Sequence, residues 1–403
     1  MRYINSIRLL LHIYWFSLIG RFIFYFISNH KQKQKSILYL AAFFPGNAGF
    51  EWRVRKWVES IKTDYTKIEV KYPLVEHEFN QLFNKNHSEF LIKSLKRRFW
   101  QIIYSRKFET VIVRRELLLY NDYGNLFLEK LLLKIHPNAI LDFDDDISAA
   151  KNQPKKITSL YGKLLNEDGD KFNNTLKMYS NFIVASNYLK TRIERINNKS
   201  NNIAIIPTCV DYNDFPQKKY TIKKTLIFGW IGGTHNYFLL DNLLPLFNKL
   251  SELYSFKLLV IGGEEYKKNV NFEIEFRKWS LETEISDLLD IDIGLMPLID
   301  DDESRGKGGF KLIQYMGLGI VSIASPITIN KEIVDHQKNS FLAKDYEEWD
   351  FWLTQLLENK IDLQKIGEEA RIKINSTYTF TSNRNNYINF IENVRNSRLL
   401  EKR

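Results

Sequence analysis

Short apolar runs, each followed by a stretch of helical period, recur along this chain; the alternation stops once and then begins again. Residues 36–46 (SILYLAAFFPG), 68–72, 110–114 (TVIVR), 139–143, 181–185 and 203–206 read as strands, with helical stretches over 51–61 and 123–135. Strands joined by helices make a parallel sheet covered on both faces. Residues 207–220 (PTCVDYNDFPQKKY) then break the pattern with two prolines and no sustained period, as an interdomain connector does. Strands resume at 226–231, 256–261, 291–296 and 320–324, with helices over 236–250 and 310–316 and a charged helical tail. A chain of 403 residues also suits two cores of roughly 200 residues each. The fold class is therefore α/β: two Rossmann-like domains with parallel sheets facing across a cleft. Ligands of such sheets sit beyond the carboxyl ends of the strands.

The division places a basic amphipathic extension at 1–34, a first Rossmann-like domain at 35–210, a connector at 211–221 and a second Rossmann-like domain at 222–380. A C-terminal helix at 381–403 follows, for which packing back on the first domain is one arrangement. Formal charge is +10, from 58 basic and 48 acidic residues, which favours anionic partners. The single cysteine, Cys209, excludes an internal disulfide and a cysteine-cluster metal site, and fits a reducing compartment. Residues 8–27 (RLLLHIYWFSLIGRFIFYFI) nearly reach spanning length but contain Arg21, which costs about 2.5–3.5 kcal/mol at a bilayer centre. An in-plane helix with its basic residues among headgroups costs less. Contact with the cytoplasmic face of a membrane is expected, against the alternative of a helix packed on the domain's own surface.

Two loops of the second half carry chemistry. FGWIGGTHN puts Gly232 and Gly233 after a strand and before a helix, where backbone approaches a phosphate closely. Taken alone, this is an ordinary strand-to-helix turn as readily as a phosphate cradle. The second loop, DESRGKGGFKLIQYMGLG, brings Arg305, Lys307 and Lys311 within seven residues. Cations converging on a diphosphate would neutralise leaving-group charge. A solvated loop balanced by Asp300, Asp301, Asp302 and Glu303 is the plain alternative.

The first half offers PGNAGFEWRVRKW, with Gly49 in the loop and Arg53 and Arg55 on the following helix. Arg53 and Arg55 are two apart and share no helix face well, so at most one serves the site, with Arg53 the choice and a solvated helix face the alternative. It also offers TVIVRRE, ending in Arg115 and Glu116, and LDFDDD, with Asp142, Asp144, Asp145 and Asp146. Four carboxylates so close repel unless cations, hydrogen bonds or ligand hydroxyls relieve them. A polar loop capping the next helix is the alternative.

The segment from Pro297 through the 305–311 loop to Gln314, Tyr315, Met316 and Gly319 resembles the signature of glycosyltransferase family 4, which has the GT-B fold. The likeness extends to Arg53 with Arg55, to Arg115 with Glu116, and to Asp142, Asp144 and Asp145. Many members carry two glutamates in the later motif. Here Gly306 and Gln314 occupy those positions, as in a branch with a basic glycine-rich loop, and Asp146 replaces a small residue. The resemblance implies transfer of a sugar from a nucleotide-diphosphate donor with retention of configuration, to a glycan or lipid-linked acceptor in surface polysaccharide or glycolipid synthesis. Asp144, Asp145, Lys307 and Lys311 would be catalytic. Gly232, Gly233, His235, Arg305, Lys307, Lys311 and Gln314 would hold the donor, and Gly49, Arg53, Arg115, Glu116 and Asp142 the acceptor side. No metal or other cofactor is implied; the nucleotide sugar is a co-substrate. A nucleotide-sugar epimerase or dehydrogenase would need a GxGxxG fingerprint, which the sequence lacks. A nucleic-acid partner would ask for aromatics interleaved with a basic patch, whereas the aromatics here are dispersed. A donor-binding subunit without turnover is the remaining rival.

Overall fold

The computed structural model describes residues 2–26, 35–81, 87–119, 126–148, 170–199, 201–212, 215–221 and 225–400. The chain forms two compact units, Met1–Thr208 with Arg384–Arg403, and Cys209–Asn383. The first is built on strands β1 (Ser36–Ala41), β2 (Lys67–Lys71), β3 (Thr110–Arg114), β4 (Ile140–Phe143), β5 (Asn181–Val184) and β6 (Asn202–Ile205), in the order β2-β1-β3-β4-β5-β6. The second is built on β7 (Leu226–Gly232), β8 (Phe256–Gly262), β9 (Glu273–Lys278), β10 (Ile293–Met296), β11 (Val321–Ala324) and β12 (Phe341–Leu342), in the order β12-β11-β10-β7-β8-β9. Neighbouring strands pair in parallel throughout both sheets.

Strand order reverses between β1 and β3 in one sheet and between β7 and β10 in the other. At such a switch point the connecting segments leave in opposite directions and open a crevice at the carboxyl edge. Each unit therefore has one place where its topology prepares a ligand site. The inner strands β1, β3, β4, β5, β10 and β11 are buried at every position, as sheets covered on both faces require.

Some elements differ from the sequence expectation. The helix expected over 236–250 is broken into a 3-10 turn at Thr234–Asn236 and helices Tyr237–Asp241 and Leu244–Ser251. Pro245 stands in the first turn of the last of these, where its missing N–H costs nothing. The stretch 51–61 begins as a π-helical turn, Glu51–Arg55, before the helix Lys56–Ile61. The part of the expected connector at 215–221 is tied into the second unit, where Lys218 pairs with Asp292 at 2.9 Å.

The last helix, Phe380–Leu400, contributes to the first unit from Arg384 onward. Its Tyr387 stacks on Trp57 with centroids 4.0 Å apart and shares a 3.0 Å hydrogen bond with Tyr39. The amino-terminal helix, Arg2–Phe26, also joins this unit, with Leu9, Ile13 and Phe16 in its core. Among the described residues, no helix is long and apolar enough to cross a membrane.

Candidate functional site

In the second unit, β7 ends at Gly232, and the turn Thr234–Asn236 follows at the switch point with β10. Asn236 is the hub of this turn. Its amide donates to His235 Nε2 at 3.0 Å, and its oxygen accepts from Lys307 Nζ at 2.9 Å. Lys307 also lies 3.7 Å from Glu303, and its side chain is 16% exposed. Lys311 stands on the first turn of the helix Phe310–Gly317, with Nζ 4.5 Å above the Trp230 ring. A Cβ at position 232 would meet the Trp230 ring at 2.5 Å and the Lys311 Cε at 2.9 Å, so glycine leaves room for the ring and the lysine stacked on it. Gly309 opens that helix in the left-handed region, at φ 71°, with Ile333 where a side chain would go. Two ammonium groups are thus held beside a strand-end glycine turn that includes Gly233. An amide oxygen and an aromatic face each hold an ammonium group without cancelling its charge.

Two other expected donor residues are placed differently. Arg305 faces outward, 42% exposed, and is paired with Asp300 at 2.8 Å and Asp302 at 3.6 Å. Gln314 is 3% exposed and donates to Glu284 Oε1 at 2.9 Å. Glu284 is buried as well and also accepts from Trp279 Nε1 at 2.9 Å. The glutamine side chain is therefore committed inside the unit.

In the first unit, the carboxylates and arginines sort into pairs at the carboxyl ends of β3 and β4. Arg53, from the π-helical turn, directs Nε and Nη2 onto Asp142 Oδ1 at 3.0 and 2.8 Å, and Nη1 onto the Ile206 carbonyl at 2.7 Å. Arg53 and Asp142 are each 1% exposed. Burial pushes the Asp142 carboxyl up, while Arg53 and Arg114 pull against it. Arg114 donates to Asp144 Oδ1 at 2.6 Å, and the Thr208 hydroxyl donates to Oδ2 at 3.3 Å. Burial opposes the Asp144 charge, yet Arg114 and Arg53 outweigh it and hold its pKa down to about 2. Asp145 is exposed beside it. Asp146 is buried, accepts from Ser148 Oγ at 2.6 Å and pairs with Arg192. The repulsion expected among these carboxylates is relieved by Arg53, Arg114 and Arg192.

Arg115 and Glu116 follow directly. Arg115 adopts φ 70°, which non-glycine residues avoid, and its guanidinium lies 5.4 Å from the Phe43 ring centroid. Glu116 is buried, 3.8 Å from Arg115 and 3.6 Å from Lys171. Gly49 lies in the first turn after Asn47, donating its N–H to Asn47 Oδ1 at 3.0 Å. Arg114, Thr208, Asn236 and Glu284 take part here without having been singled out from sequence. Consecutive arginines at a strand end were the available signal for Arg114, because successive side chains point to opposite faces.

Residues 225–359 match the family model described as Glycosyl transferases group 1. The match contains the glycine turn, both lysines and Gln314. Among solved structures, the chain is similar to sucrose-phosphate synthase from Thermosynechococcus elongatus, with a TM-score of 0.61 and 11% identity over 86% of this chain and 96% of that one. It is also similar to Anabaena HepE in complex with UDP and glucose, with a TM-score of 0.60 and 12% identity over 89% of this chain and 100% of that one. The catalytic domain of starch synthase IV from Arabidopsis thaliana, bound to ADP and acarbose, has a TM-score of 0.60 and 10% identity over 91% of this chain and 100% of that one. No curated protein matches the chain by sequence. The two-unit, Rossmann-like α/β fold is thus the GT-B fold of glycosyltransferases.

Proposed function

We propose that the chain is a retaining glycosyltransferase of family 4, moving a sugar from a nucleotide-diphosphate donor to a glycan or lipid-linked acceptor in surface polysaccharide or glycolipid synthesis at the cytoplasmic face of a membrane. The observation that carries this reading is the lysine pair beside the β7 glycine turn, inside the family match. Lys307 and Lys311 bind the diphosphate and offset the charge that develops as it leaves. Gly232 and Gly233 let backbone approach it, and His235 contacts a phosphate oxygen. Arg305 would have to exchange Asp300 and Asp302 for the donor, so its part in binding is minor. In the first unit, ionised Asp144 and exposed Asp145 orient acceptor or sugar hydroxyls. Arg53 and Asp142 act through position, by fixing the end of β4. With lysines taking the diphosphate charge, the reading needs no resident metal.

A donor screen tests this: nucleotide release from a panel of nucleotide sugars, with and without lipid-linked acceptors, for wild type, Lys307→Ala and Lys311→Ala. Release by wild type and weakened donor binding by both variants are expected. Wild-type binding in both variants rejects the clamp. A donor-binding subunit without turnover is the second reading, favoured by Gly306 and the committed Gln314 at the positions of the family's glutamates. It predicts donor binding with no release under any acceptor.

A further inference from the structure

The amino-terminal helix Arg2–Phe26 is apolar on two opposite faces. Leu9, Ile13 and Phe16 are buried in the first unit, with Phe16 against Phe99 at 4.9 Å between centroids. Ile7, Leu11, Tyr14, Trp15, Leu18 and Phe22 are each between 49% and 68% exposed. At 3.6 residues per turn these six fall within about 100° of arc, opposite the buried set. Arg8 and Arg21, both exposed, stand about 20° beyond either edge of that arc. A helix apolar all round belongs in a core or a membrane, and among the described residues the core lies on one side of it.

We propose that this outer face lies in the plane of an anionic bilayer. Its six apolar side chains enter the acyl boundary, and Arg8 and Arg21 reach lipid phosphates on either side. Tyr14 and Trp15 suit this depth, since their rings are apolar with one polar end. Charge selects lipid over a second copy of the chain. The helix contains no aspartate or glutamate, so pairing through this face would set arginines against arginines. The face lies flat rather than threading the bilayer, because no described helix is long and apolar enough to cross one. The inference supplies the surface for the membrane side of the proposed function and rests on that reading only for its setting.

The test is sedimentation of the full chain with vesicles of phosphatidylcholine alone or with about 30% phosphatidylglycerol, beside nucleotide binding measured without lipid. Wild type is expected to bind the anionic vesicles, at least about tenfold more weakly without phosphatidylglycerol and more weakly in high salt. Trp15→Glu with Leu18→Glu is expected to abolish vesicle binding, and Arg8→Gln with Arg21→Gln to remove the preference for phosphatidylglycerol. Both should keep wild-type melting and nucleotide binding. Three results overturn the proposal: wild type ignores both vesicles, the Trp15→Glu/Leu18→Glu variant binds as well as wild type, or wild type is a dimer that those substitutions dissociate while no vesicle binds. Vesicle binding by a wild type that binds no nucleotide sugar supports the surface and rejects the transferase reading.

Discussion

The Arg53 guanidinium holds one oxygen of Asp142 with two hydrogen bonds, at 3.0 and 2.8 Å, and neither side chain reaches solvent. Removing Arg53 takes from the buried Asp142 carboxyl its hydrogen-bonded cation and leaves the Arg114 charge still acting on it. Arg53→Met is therefore expected to destabilise the first unit by about 3–5 kcal/mol. Adding Asp142→Leu should recover much of that loss, because two apolar side chains then fill the site. Thermal melting of the two variants checks this; equal melting of Arg53→Met and wild type would refute it.

Lys307 and Arg305 sit two residues apart but differ in what already holds them. Arg305 is neutralised by Asp300 and Asp302 in solvent, whereas Lys307 is held by the neutral Asn236 amide and one more distant glutamate. Lys307→Ala is expected to weaken nucleotide-diphosphate binding by about 10- to 100-fold, the worth of a charge-assisted bond. Arg305→Ala should cost less than about fivefold, since exposed pairs contribute little. Calorimetric titration with the nucleoside diphosphate separates the two. A larger loss at Arg305 would reverse the assignment.

Asp144 gives the first unit an acid limit. Its folded pKa is depressed to about 2, against an ordinary value near 3.9 for an unfolded aspartate. Stabilisation by the Arg114 pair is thus complete above about pH 4 and is lost as pH falls toward 2. Its size is about 2 kcal/mol. Wild type should melt higher than Asp144→Asn at pH 6, with the gap reduced to roughly half at pH 3 and closing toward pH 2. A gap as wide at pH 2 as at pH 6 contradicts the assignment.

Gln314 can be tested by its charged isostere. Gln314→Glu would put a second carboxylate beside buried Glu284, now 2.9 Å from the amide nitrogen. Two carboxylates at that distance cannot both ionise cheaply, so one is pushed up in pKa. The variant should melt below wild type at pH 7 and recover as pH falls to 5, where the shared proton is easily held. Gln314→Ala should cost about 1–3 kcal/mol with no such recovery, because it only strips a bond from Glu284. Melting curves at the two pH values distinguish these outcomes.

The strands were legible because their signals are local. TVIVR at 110–114 coincides with β3, and the runs from 226 and 256 open β7 and β8 where expected. Burial on both faces leaves continuous apolar runs, which a reader can bound. β9, EIEFRK, escaped notice because it is an edge strand that alternates charge with Ile and Phe. The helix expected over 236–250 was overrun because an apolar period does not show where a turn tightens. In the sites, the glycine turn, the two lysines and the aspartate cluster could all be named from spacing. Their partners could not. Arg53 reaches Asp142 across 89 positions, Thr208 reaches Asp144 across 64, and Lys307 reaches Asn236 across 71.

By itself, the sequence determined two restarting sheets of parallel strands and the turns after them, since side-chain period and glycine or proline geometry act over a few residues. Only the tertiary structure decided which partner each polar side chain meets. Asp142, Arg305 and Gln314 meet Arg53, Asp300 and Glu284, while Lys307 meets Asn236 and Glu303 and Lys311 lies over Trp230. Electrostatic pairing depends on distance in space, and that distance exists only once the strands have been brought side by side.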